Sequence, residues 1–352
     1  MSFERGMAAF NLEMTDKIPR TEYSAQRYWK LINTVTGIKV DENSSKDEQA
    51  KATAAFIKAW DYSYAWGVVI HSQYLNKCRT RMGHATFEAG GGDFNNKVYC
   101  PFEDPEECLK FDAIKVYGEV NERDALATVN KYYHERREAY PDAVNTTGTY
   151  ITLVSGLIDI FGWEMLLMGL AIDAKQMGKV TDRYAEWMMP FFRALADCDA
   201  EVITIHDDIV WTSGAFVNPT WYREFVFPNY KKMFAPLHEA GKKIIYTSDG
   251  DYTEFIDDVA DCGINGFVME PMTDMKYIAE KYGKTHSFVG NADTRILLSG
   301  TKEEIYNEVK RCVDIGKNCP GFFMAVGNHI PSNTPIENAL YYNEVFEKLS
   351  KR

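Results

Sequence analysis

Short polar clusters follow the apolar runs in the second half of the chain, and their side chains are of the types that carry out chemistry. Asp, Glu and His can ligate a metal ion or transfer a proton, and Asn can orient a bound group. One such cluster could be an ordinary loop, because loops need polar residues anyway. Five in succession indicate an active site. They are His206-Asp207-Asp208, Thr247 to Asp251, Glu270, Asn291-Ala292-Asp293 and Gly327-Asn328-His329.

The elements that must position these clusters are predicted to be parallel strands. Short apolar runs alternate with longer amphipathic stretches, which is typical of strands joined by crossover helices. Eight such runs favour a (β/α)8 barrel over a doubly wound sheet, and the strand ends of a barrel open onto the face that holds the active site. The predicted strands are Ala65–Ile70, Ala85–Glu88, Ala143–Thr147, Glu201–Ile205, Lys243–Tyr246, Gly266–Met269, Ser287–Gly290 and Gly321–Val326.

The expected fold class is therefore α/β, a (β/α)8 TIM barrel with an N-terminal helical extension. Residues 1–62 are predicted to be this extension, packed on the barrel, with a helical pattern over 46–60. Residues 63–352 are predicted to form the catalytic barrel. We expect the two segments to make a single structural domain.

Composition argues against several classes of protein. The net charge is −12 and the isoelectric point is about 5.2, so nonspecific binding to nucleic acid is not expected. The seven cysteines are scattered without a C-x-x-C pair, which predicts neither a disulfide framework nor a zinc finger. No apolar run approaches the roughly 18 residues that span a bilayer, and the chain does not begin with a signal-peptide pattern. We expect a cytoplasmic enzyme without nucleic-acid or membrane partners.

The cluster His206-Asp207-Asp208 has two interpretations. Neighbouring carboxylates repel each other, so one of them can stay protonated and serve as a general acid. Alternatively, Asp208 caps the segment that follows, and His206 is a satisfied residue of the barrel wall. We favour a catalytic role for these three residues because they follow a predicted barrel strand.

Aromatic residues make up 14% of the chain, which suits a pocket for a flat organic ligand. Trp211 and Tyr222 come shortly after the predicted strand Glu201–Ile205, and both are candidates for contact with such a ligand. Packing of helices on the barrel would explain other aromatic side chains on helical stretches at least as well.

Five strings carry a resemblance to a known family. They are IHDDI at 205–209, NPTWYREFVFPNYKKM at 218–233, YTSDGD at 246–251, VGNADTRILLSGTKEEI at 289–305 and GNHIPSNTPIENAL at 327–340. Together they resemble the uroporphyrinogen decarboxylase superfamily, and more closely its branch of corrinoid-dependent methyltransferases, such as methyltransferase I of anaerobic O-demethylase systems. The resemblance implies a (β/α)8 barrel with its pocket at the carboxyl ends of the strands, which agrees with the pattern of the sequence.

Two departures from the superfamily narrow the function. The decarboxylase grips substrate propionates with an arginine-rich string, whereas this chain has PRTEYS at 19–24, with one arginine. A substrate with eight carboxylates needs several cations.

In the thiol-methylating branch, zinc is held by His-x-Cys, a Glu and a last Cys, and these positions fall on Thr247, Asp249, Glu270 and Asn328. Without the cysteines, a thiol-activating zinc site of that design is not expected.

The remaining group of the branch demethylates a methylated substrate and loads the corrinoid of a partner protein. Members that act on aryl methyl ethers resemble this chain. The resemblance implies that Asp249, Glu270 and His329 hold a zinc ion as a Lewis acid on oxygen, or position that oxygen. Each of these residues also has a structural alternative to metal binding. Asp249 could form a turn, Glu270 could form an ion pair, and His329 could be an exposed residue at the start of a helix.

Three further residues are candidates for substrate binding through the same resemblance. Glu22 and Tyr23 lie near the barrel entrance in this family, and Asn328 occupies the position of the lost cysteine. The partners implied are a methoxylated aromatic substrate and a corrinoid protein, and a homodimer is left open. The cofactors implied are zinc and the corrinoid, or cobalamin, that the partner carries.

The predicted function is cleavage of an aryl methyl ether with transfer of the methyl group to a cobalt(I) corrinoid. One alternative is a corrinoid-linked methyltransferase with another donor or acceptor, such as methylamine, methanol, betaine or a thiol. The others are a decarboxylase of the uroporphyrinogen type and a noncatalytic protein that binds a tetrapyrrole.

Overall fold

Short strands alternate with helices along the chain. The computed structural model describes residues 2–23, 25, 28–81, 86–88, 91–93 and 99–352. The strands are β1 (Tyr64–Ala65), β2 (Thr86–Glu88), β3 (Gly91–Asp93), β4 (Val144–Asn145), β5 (Thr147–Thr149), β6 (Val202–His206), β7 (Val210–Trp211), β8 (Gly214–Ala215), β9 (Lys243–Ser248), β10 (Gly266–Met269), β11 (Ser287–Ala292) and β12 (Phe322–Val326).

The helices include three near the N-terminus and a series that follows the strands. They are α1 (Ser2–Phe10), α2 (Trp29–Thr36), α3 (Lys46–Ala59), α4 (Pro105–Cys108), α5 (Ala113–Tyr117), α6 (Glu122–Ala139), α7 (Val154–Asp197), α8 (Pro219–Trp221), α9 (Phe227–Glu239), α10 (Ile256–Ala260), α11 (Met275–Tyr282), α12 (Thr294–Ser299), α13 (Lys302–Gly316) and α14 (Ile336–Leu349). Single 3-10 turns cover Ser72–Leu75 and Thr253–Phe255, and a π-helical turn covers Tyr222–Val226.

The chain divides into two compact units. The first unit comprises Met1–Trp66, His134–Thr146 and Asn265–Arg352, and the second comprises Gly67–Tyr133 and Thr147–Ile264. The division of the sequence into an extension and a barrel at residue 62 stays a prediction.

The first unit contains two sets of parallel strands. Strand β11 pairs with β10 on one side and β12 on the other, and Phe288 lies opposite Phe322. Strand β1 pairs with β4. The extended segment at Arg20 forms bridges to Met324 of β12 and to Tyr62, so the N-terminal segment takes part in strand pairing.

The second unit contains β5, β6 and β9, which are also parallel. Thr149 of β5 lies opposite Ile205 of β6, and His206 lies opposite Thr247 of β9. Every residue of β6 is buried, as expected for a parallel strand that is covered on both faces. This register brings the carboxyl ends of the three strands side by side.

Helix α7 is long and apolar enough, by length and composition alone, to cross a membrane. Its backbone departs from helical geometry at Gly162 and Asp173, so it is a series of shorter helices joined by kinks. In its most apolar 18-residue window, with a mean hydropathy of 1.5, 56% of the residues are buried inside the protein. These features fit a core helix.

The α/β class and the N-terminal helices agree with the sequence prediction. The strand assignment Ala85–Glu88 was wrong, because Thr86–Glu88 pairs antiparallel with Gly91–Asp93 and does not form a parallel barrel strand. Ala85, the first residue of that assignment, lies outside the described residues. In the sequence, Ala89 separates this run from three consecutive glycines, and a glycine-rich segment of this kind favours a short hairpin. Of the run Ala65–Ile70, Ala65 lies in β1 and Ile70 forms an isolated bridge to Thr149.

Candidate active site

Three side chains of the second unit form a compact cluster, which we call the His-Asp-Asp cluster: His206, Asp208 and Asp249. One ligand atom from each lies within 4.8 Å of the others. His206 is the last residue of β6, and Asp249 follows β9 directly. The imidazole Nε2 of His206 lies 3.4 Å from Oδ1 of Asp208. The cluster exists because parallel register places the ends of β6 and β9 together.

Backbone hydrogen bonds hold the two carboxylate-bearing loops of this cluster. The amide of Asp249 donates to Oδ1 of Asp208 at 2.9 Å, which ties one loop to the other. The amide of Asp208 donates to the hydroxyl of Ser155 at 2.7 Å, and the amide of Ile209 donates to the hydroxyl of Ser248 at 3.3 Å. The position of the Asp208 carboxylate and the backbone of both loops are therefore set by the fold.

A stack of three rings fixes the imidazole of His206. Its ring centroid lies 3.9 Å from that of Tyr150, with 8° between the planes. Tyr150 in turn stacks on His71 at 4.6 Å, with 18° between the planes. Sequence reasoning missed both Tyr150 and His71. Tyr150 could have been found, because it follows β5 directly and so occupies a strand end like the other candidates.

The electrostatics of the cluster favour a neutral imidazole and an intact phenol. Burial lowers the pKa of His206 although the charge of Asp249 acts in the opposite direction. Burial also raises the pKa of Tyr150, and the charges of Asp208 and Asp249 raise it further. A neutral imidazole has a lone pair available for a metal ion or a proton.

Asp207 lies away from the ligand atoms of the cluster, at the start of α7. Its carboxylate accepts hydrogen bonds from the amides of Val154 at 3.0 Å and Ser155 at 2.6 Å, and from the hydroxyl of Tyr230. Burial raises the pKa of Asp207, against the opposing effect of the Tyr230 hydroxyl. The alternative interpretation had Asp208 cap the segment that follows it. In the structure it is Asp207 that accepts hydrogen bonds from helix amides, and they belong to α7, which lies earlier in the chain. A catalytic role for Asp207 stays a prediction.

Glu270 and Asn328 meet in the first unit. Glu270 follows β10, Asn328 lies two residues after β12, and the amide nitrogen of Asn328 donates to the Glu270 carboxylate. The side chain of Asn291 donates to the main-chain oxygens of Glu270 at 3.1 Å and Thr273 at 3.2 Å, which anchors the loop after β10. Substrate binding by Asn328 stays a prediction.

Tyr23 and His329 also meet in the first unit. Their rings lie edge to face with centroids 5.6 Å apart, and Tyr23 contacts Trp66 on another side at 4.5 Å. Tyr23 and His329 are both partly exposed, so this aromatic group can contact a ligand. Trp66 is a residue that sequence reasoning did not single out.

Glu22 is fully buried in the first unit. Its carboxylate accepts hydrogen bonds from Arg20 at 2.7 Å, from the hydroxyl of Tyr342 at 2.8 Å and from the amide of Val326 at 3.0 Å. Burial raises the pKa of Glu22, and the Arg20 charge opposes this effect. These contacts fasten the N-terminal segment to the end of β12. Direct contact between Glu22 and a substrate stays a prediction.

The two aromatic candidates of the second unit have different surroundings. Trp211 is 42% exposed and contacts Trp163 at 5.5 Å and Phe216 at 5.8 Å. Tyr222 is fully buried and packs on Phe255 at 4.7 Å. Trp211 is therefore accessible to a ligand, whereas a role of Tyr222 in substrate binding stays a prediction.

The predicted metal set divides between the units. Asp249 belongs to the second unit, where it joins His206 and Asp208, and Glu270 and His329 belong to the first. The set Asp249, Glu270 and His329 stays a prediction. Within the described residues, His206, Asp208 and Asp249 are the group of His, Cys, Asp and Glu side chains whose geometry could hold a metal ion.

The model of the family described as "Uroporphyrinogen decarboxylase (URO-D)" matches residues 102–349. The chain belongs to the uroporphyrinogen decarboxylase family. This membership confirms the resemblance in the strings of the second half, and with it the (β/α)8 barrel class.

Curated members of this family are distant relatives of the chain. A uroporphyrinogen decarboxylase of Geobacter metallireducens is 28% identical over 54% of this chain and 53% of its own length. One of Thermus thermophilus is 26% identical over 61% of this chain and 62% of its own length. The match thus spans about half to three fifths of these relatives.

Among solved structures, a methyltransferase from Methanosarcina mazei has a similar fold. It aligns over 99% of this chain and 98% of its own, with a TM-score of 0.63 and 18% sequence identity. At this identity the likeness shows that the two proteins share the barrel fold of the family.

Proposed function

We propose that this member of the uroporphyrinogen decarboxylase family is a methyltransferase that demethylates an aryl methyl ether and methylates the cobalt(I) corrinoid of a partner protein. The observation that carries the proposal is the His-Asp-Asp cluster, in which oxygen and nitrogen donors stand at strand ends and no thiol takes part. Such donors suit a metal ion that acts as a Lewis acid on oxygen, rather than one that activates a thiol. The full-length structural likeness to a protein named as a methyltransferase supports the same direction.

The reaction breaks one bond and forms another. The cobalt(I) of the partner's corrinoid supplies the electron pair for the new cobalt–carbon bond, and the methyl–oxygen bond breaks toward oxygen. The phenolate that leaves takes a proton. Charge develops on the ether oxygen in the transition state, so a group that stabilises this charge accelerates the reaction. His206, Asp208 and Asp249 would hold a metal ion that supplies this stabilisation, or a protonated carboxyl of the cluster would give the leaving phenolate its proton. Glu270, Asn328 and His329 are further polar contacts for the substrate.

The burial and pairing of Arg20 argue against decarboxylation of a uroporphyrinogen as the function. This residue is the one arginine of the string at 19–24, and it is 1% exposed and paired with Glu22. Its guanidinium also lies over the ring of Trp60, 4.6 Å from the centroid. A cation held in this way is not available to grip the propionates of a substrate.

A quaternary ammonium donor such as betaine is the second candidate, and a specific contact favours it. Tyr23, Trp66 and His329 form an aromatic group, and aromatic faces attract methylated ammonium cations.

An anaerobic absorbance assay tests the proposal. The protein is mixed with a reduced corrinoid protein, or free cob(I)alamin, and a panel of methoxyarenes, methylamines, betaine and methanol. Formation of methylcobalt(III) with methoxyarenes supports ether cleavage. Formation with betaine alone supports the second candidate. Stoichiometric binding of corrinoid without turnover of any donor would contradict both and favour a noncatalytic binding protein.

A further inference from the structure

We infer that His206, Asp208 and Asp249 bind one divalent transition-metal ion, with zinc as the best match. This set differs from the one that the sequence predicts, since it replaces Glu270 and His329 by His206 and Asp208. The inference deepens the proposed function, because it names the group that would act on the ether oxygen. It concerns metal binding itself, so it can be tested without methyl transfer.

The first argument is the spacing of the donor atoms. Nε2 of His206 and Oδ1 of Asp208 lie 3.4 Å apart. A good nitrogen–oxygen hydrogen bond is shorter, about 2.7 to 3.2 Å. Two donors on a tetrahedral zinc ion, each about 2.1 Å from the metal, lie roughly 3.4 Å from each other. A carboxylate oxygen of Asp249 completes a set whose members all lie within 4.8 Å.

The second argument is the burial of His206. The side chain is 1% exposed, and its Nε2 faces Oδ1 of Asp208 at 3.4 Å, beyond the usual length of a hydrogen bond. A buried nitrogen and a carboxylate oxygen that face each other without a good hydrogen bond are costly. An ion bound to both atoms would remove this cost.

The third argument is that the site is already organised. The stack on Tyr150 fixes the plane of the imidazole, and the Asp249 amide fixes the Asp208 carboxylate. Metal sites depend on such outer contacts to orient their ligands. One imidazole and two carboxylates suit zinc, manganese, iron(II) or cobalt(II), and they suit copper(I) poorly because it prefers sulfur.

Metal analysis of the purified full chain and titration of the stripped chain with Zn²⁺ test the inference. The variants are Asp208→Asn and Asp249→Asn, which remove one charge each at nearly constant volume. Asp251→Asn is the matched control, because it makes the same change in the same loop outside the cluster. Glu270→Gln and His329→Gln examine the alternative set. Circular dichroism and thermal unfolding verify that each variant is folded.

We expect one Zn²⁺ per wild-type chain, and at least a tenfold weaker Kd in both Asp208→Asn and Asp249→Asn. Asp251→Asn, Glu270→Gln and His329→Gln should bind within about twofold of the wild type. Undiminished binding by folded Asp208→Asn would overturn the inference, as would a tenfold loss in Glu270→Gln or His329→Gln. A wild-type chain that binds none of Zn²⁺, Mn²⁺ and Co²⁺ at micromolar concentration would overturn it as well. Methyl transfer by such a metal-free chain would leave the proposed function standing.

Discussion

The imidazole of His206 lies flat against the phenol ring of Tyr150, with 3.9 Å between the ring centroids. This contact links the end of β5 to the end of β6 and sets the direction of the imidazole nitrogens. Since stacked aromatic pairs contribute about 0.5 to 1.5 kcal/mol, the contact can change ligand affinity at His206 by a measurable amount.

Two replacements of Tyr150 should therefore distinguish the contribution of its ring to Zn²⁺ affinity from that of its hydroxyl. Tyr150→Leu removes the stack, and we expect Zn²⁺ affinity to fall by roughly two- to tenfold. Tyr150→Phe keeps the stack and should bind Zn²⁺ like the wild type. Isothermal titration of both variants tests this prediction. Equal losses in the two variants would indicate that the hydroxyl, and not the stack, supports the site.

Glu270→Ala should reduce methyl transfer by at least about a hundredfold in kcat/KM, the effect of losing one transition-state contact. The fold should survive, because the carboxylate receives its hydrogen bond from the partly exposed Asn328. Asn328→Ala removes the side chain that donates to the Glu270 carboxylate, and it should reduce kcat/KM by a smaller factor. Steady-state kinetics with circular dichroism tests both variants. Wild-type turnover by Glu270→Ala would exclude Glu270 from the reaction.

Glu22→Ala should affect stability more than chemistry. Removal of this carboxylate leaves the guanidinium of Arg20 buried without its counter-charge. Loss of one partner of a buried ion pair costs about 3 to 5 kcal/mol in the free energy of unfolding. Urea unfolding of Glu22→Ala and of the pair variant Arg20→Met with Glu22→Leu measures this cost. The pair variant should be the more stable of the two, and a loss below about 1 kcal/mol in Glu22→Ala would contradict the assignment.

Asp61 should make stability depend on pH. Burial acts to raise its pKa, but the Ser2 hydroxyl and the charges of Arg5 and Lys17 outweigh this effect, so the pKa is below its usual value. A carboxyl with a lowered pKa in the folded state stabilises the protein above its unfolded pKa, about 4, and this contribution disappears as the pH falls through the folded pKa.

Asp61→Asn tests this dependence with little change to the backbone, since Asn tolerates the positive φ of 51° at this position. We expect a loss of about 1 kcal/mol or less at pH 7, because the site is partly exposed. The difference from wild type should shrink toward pH 3 in urea unfolding. A constant difference at both pH values would contradict the prediction.

Part of the site could be predicted from the sequence. The alternation of apolar runs and amphipathic stretches placed His206, Asp249, Glu270 and Asn328 at or just beyond the ends of strands, and the structure has them there. Strand periodicity could also have separated Asp207 from its neighbours, because successive side chains point to opposite sides. His206 and Asp208 accordingly share the cluster, whereas Asp207 turns to the start of α7.

Other contacts depended on features that the sequence does not reveal. The stack of Tyr150 on His206 depends on the register of β5 against β6. The stack of His71 on Tyr150 also requires that the loop holding His71, near residue 70, returns to the end of β5. The burial of Arg20 and Glu22 requires the pairing of the N-terminal segment with β12, which joins residues about 300 positions apart. Strand register and long-range pairing follow from the packing of the whole chain, so a local pattern cannot predict them.

The most direct test of the proposed function is a single-turnover experiment with one methoxyarene whose methyl carbon is labelled with ¹³C. The protein, the donor and a cobalt(I) corrinoid protein are mixed without oxygen. The labelled methyl group is followed by ¹³C NMR and the phenol by chromatography. The proposal predicts labelled methylcobalt(III) and the free phenol in equal amounts, both dependent on this chain. Absence of the phenol and of the labelled methylcobalt, with a corrinoid partner that accepts methyl groups from another enzyme, would contradict it.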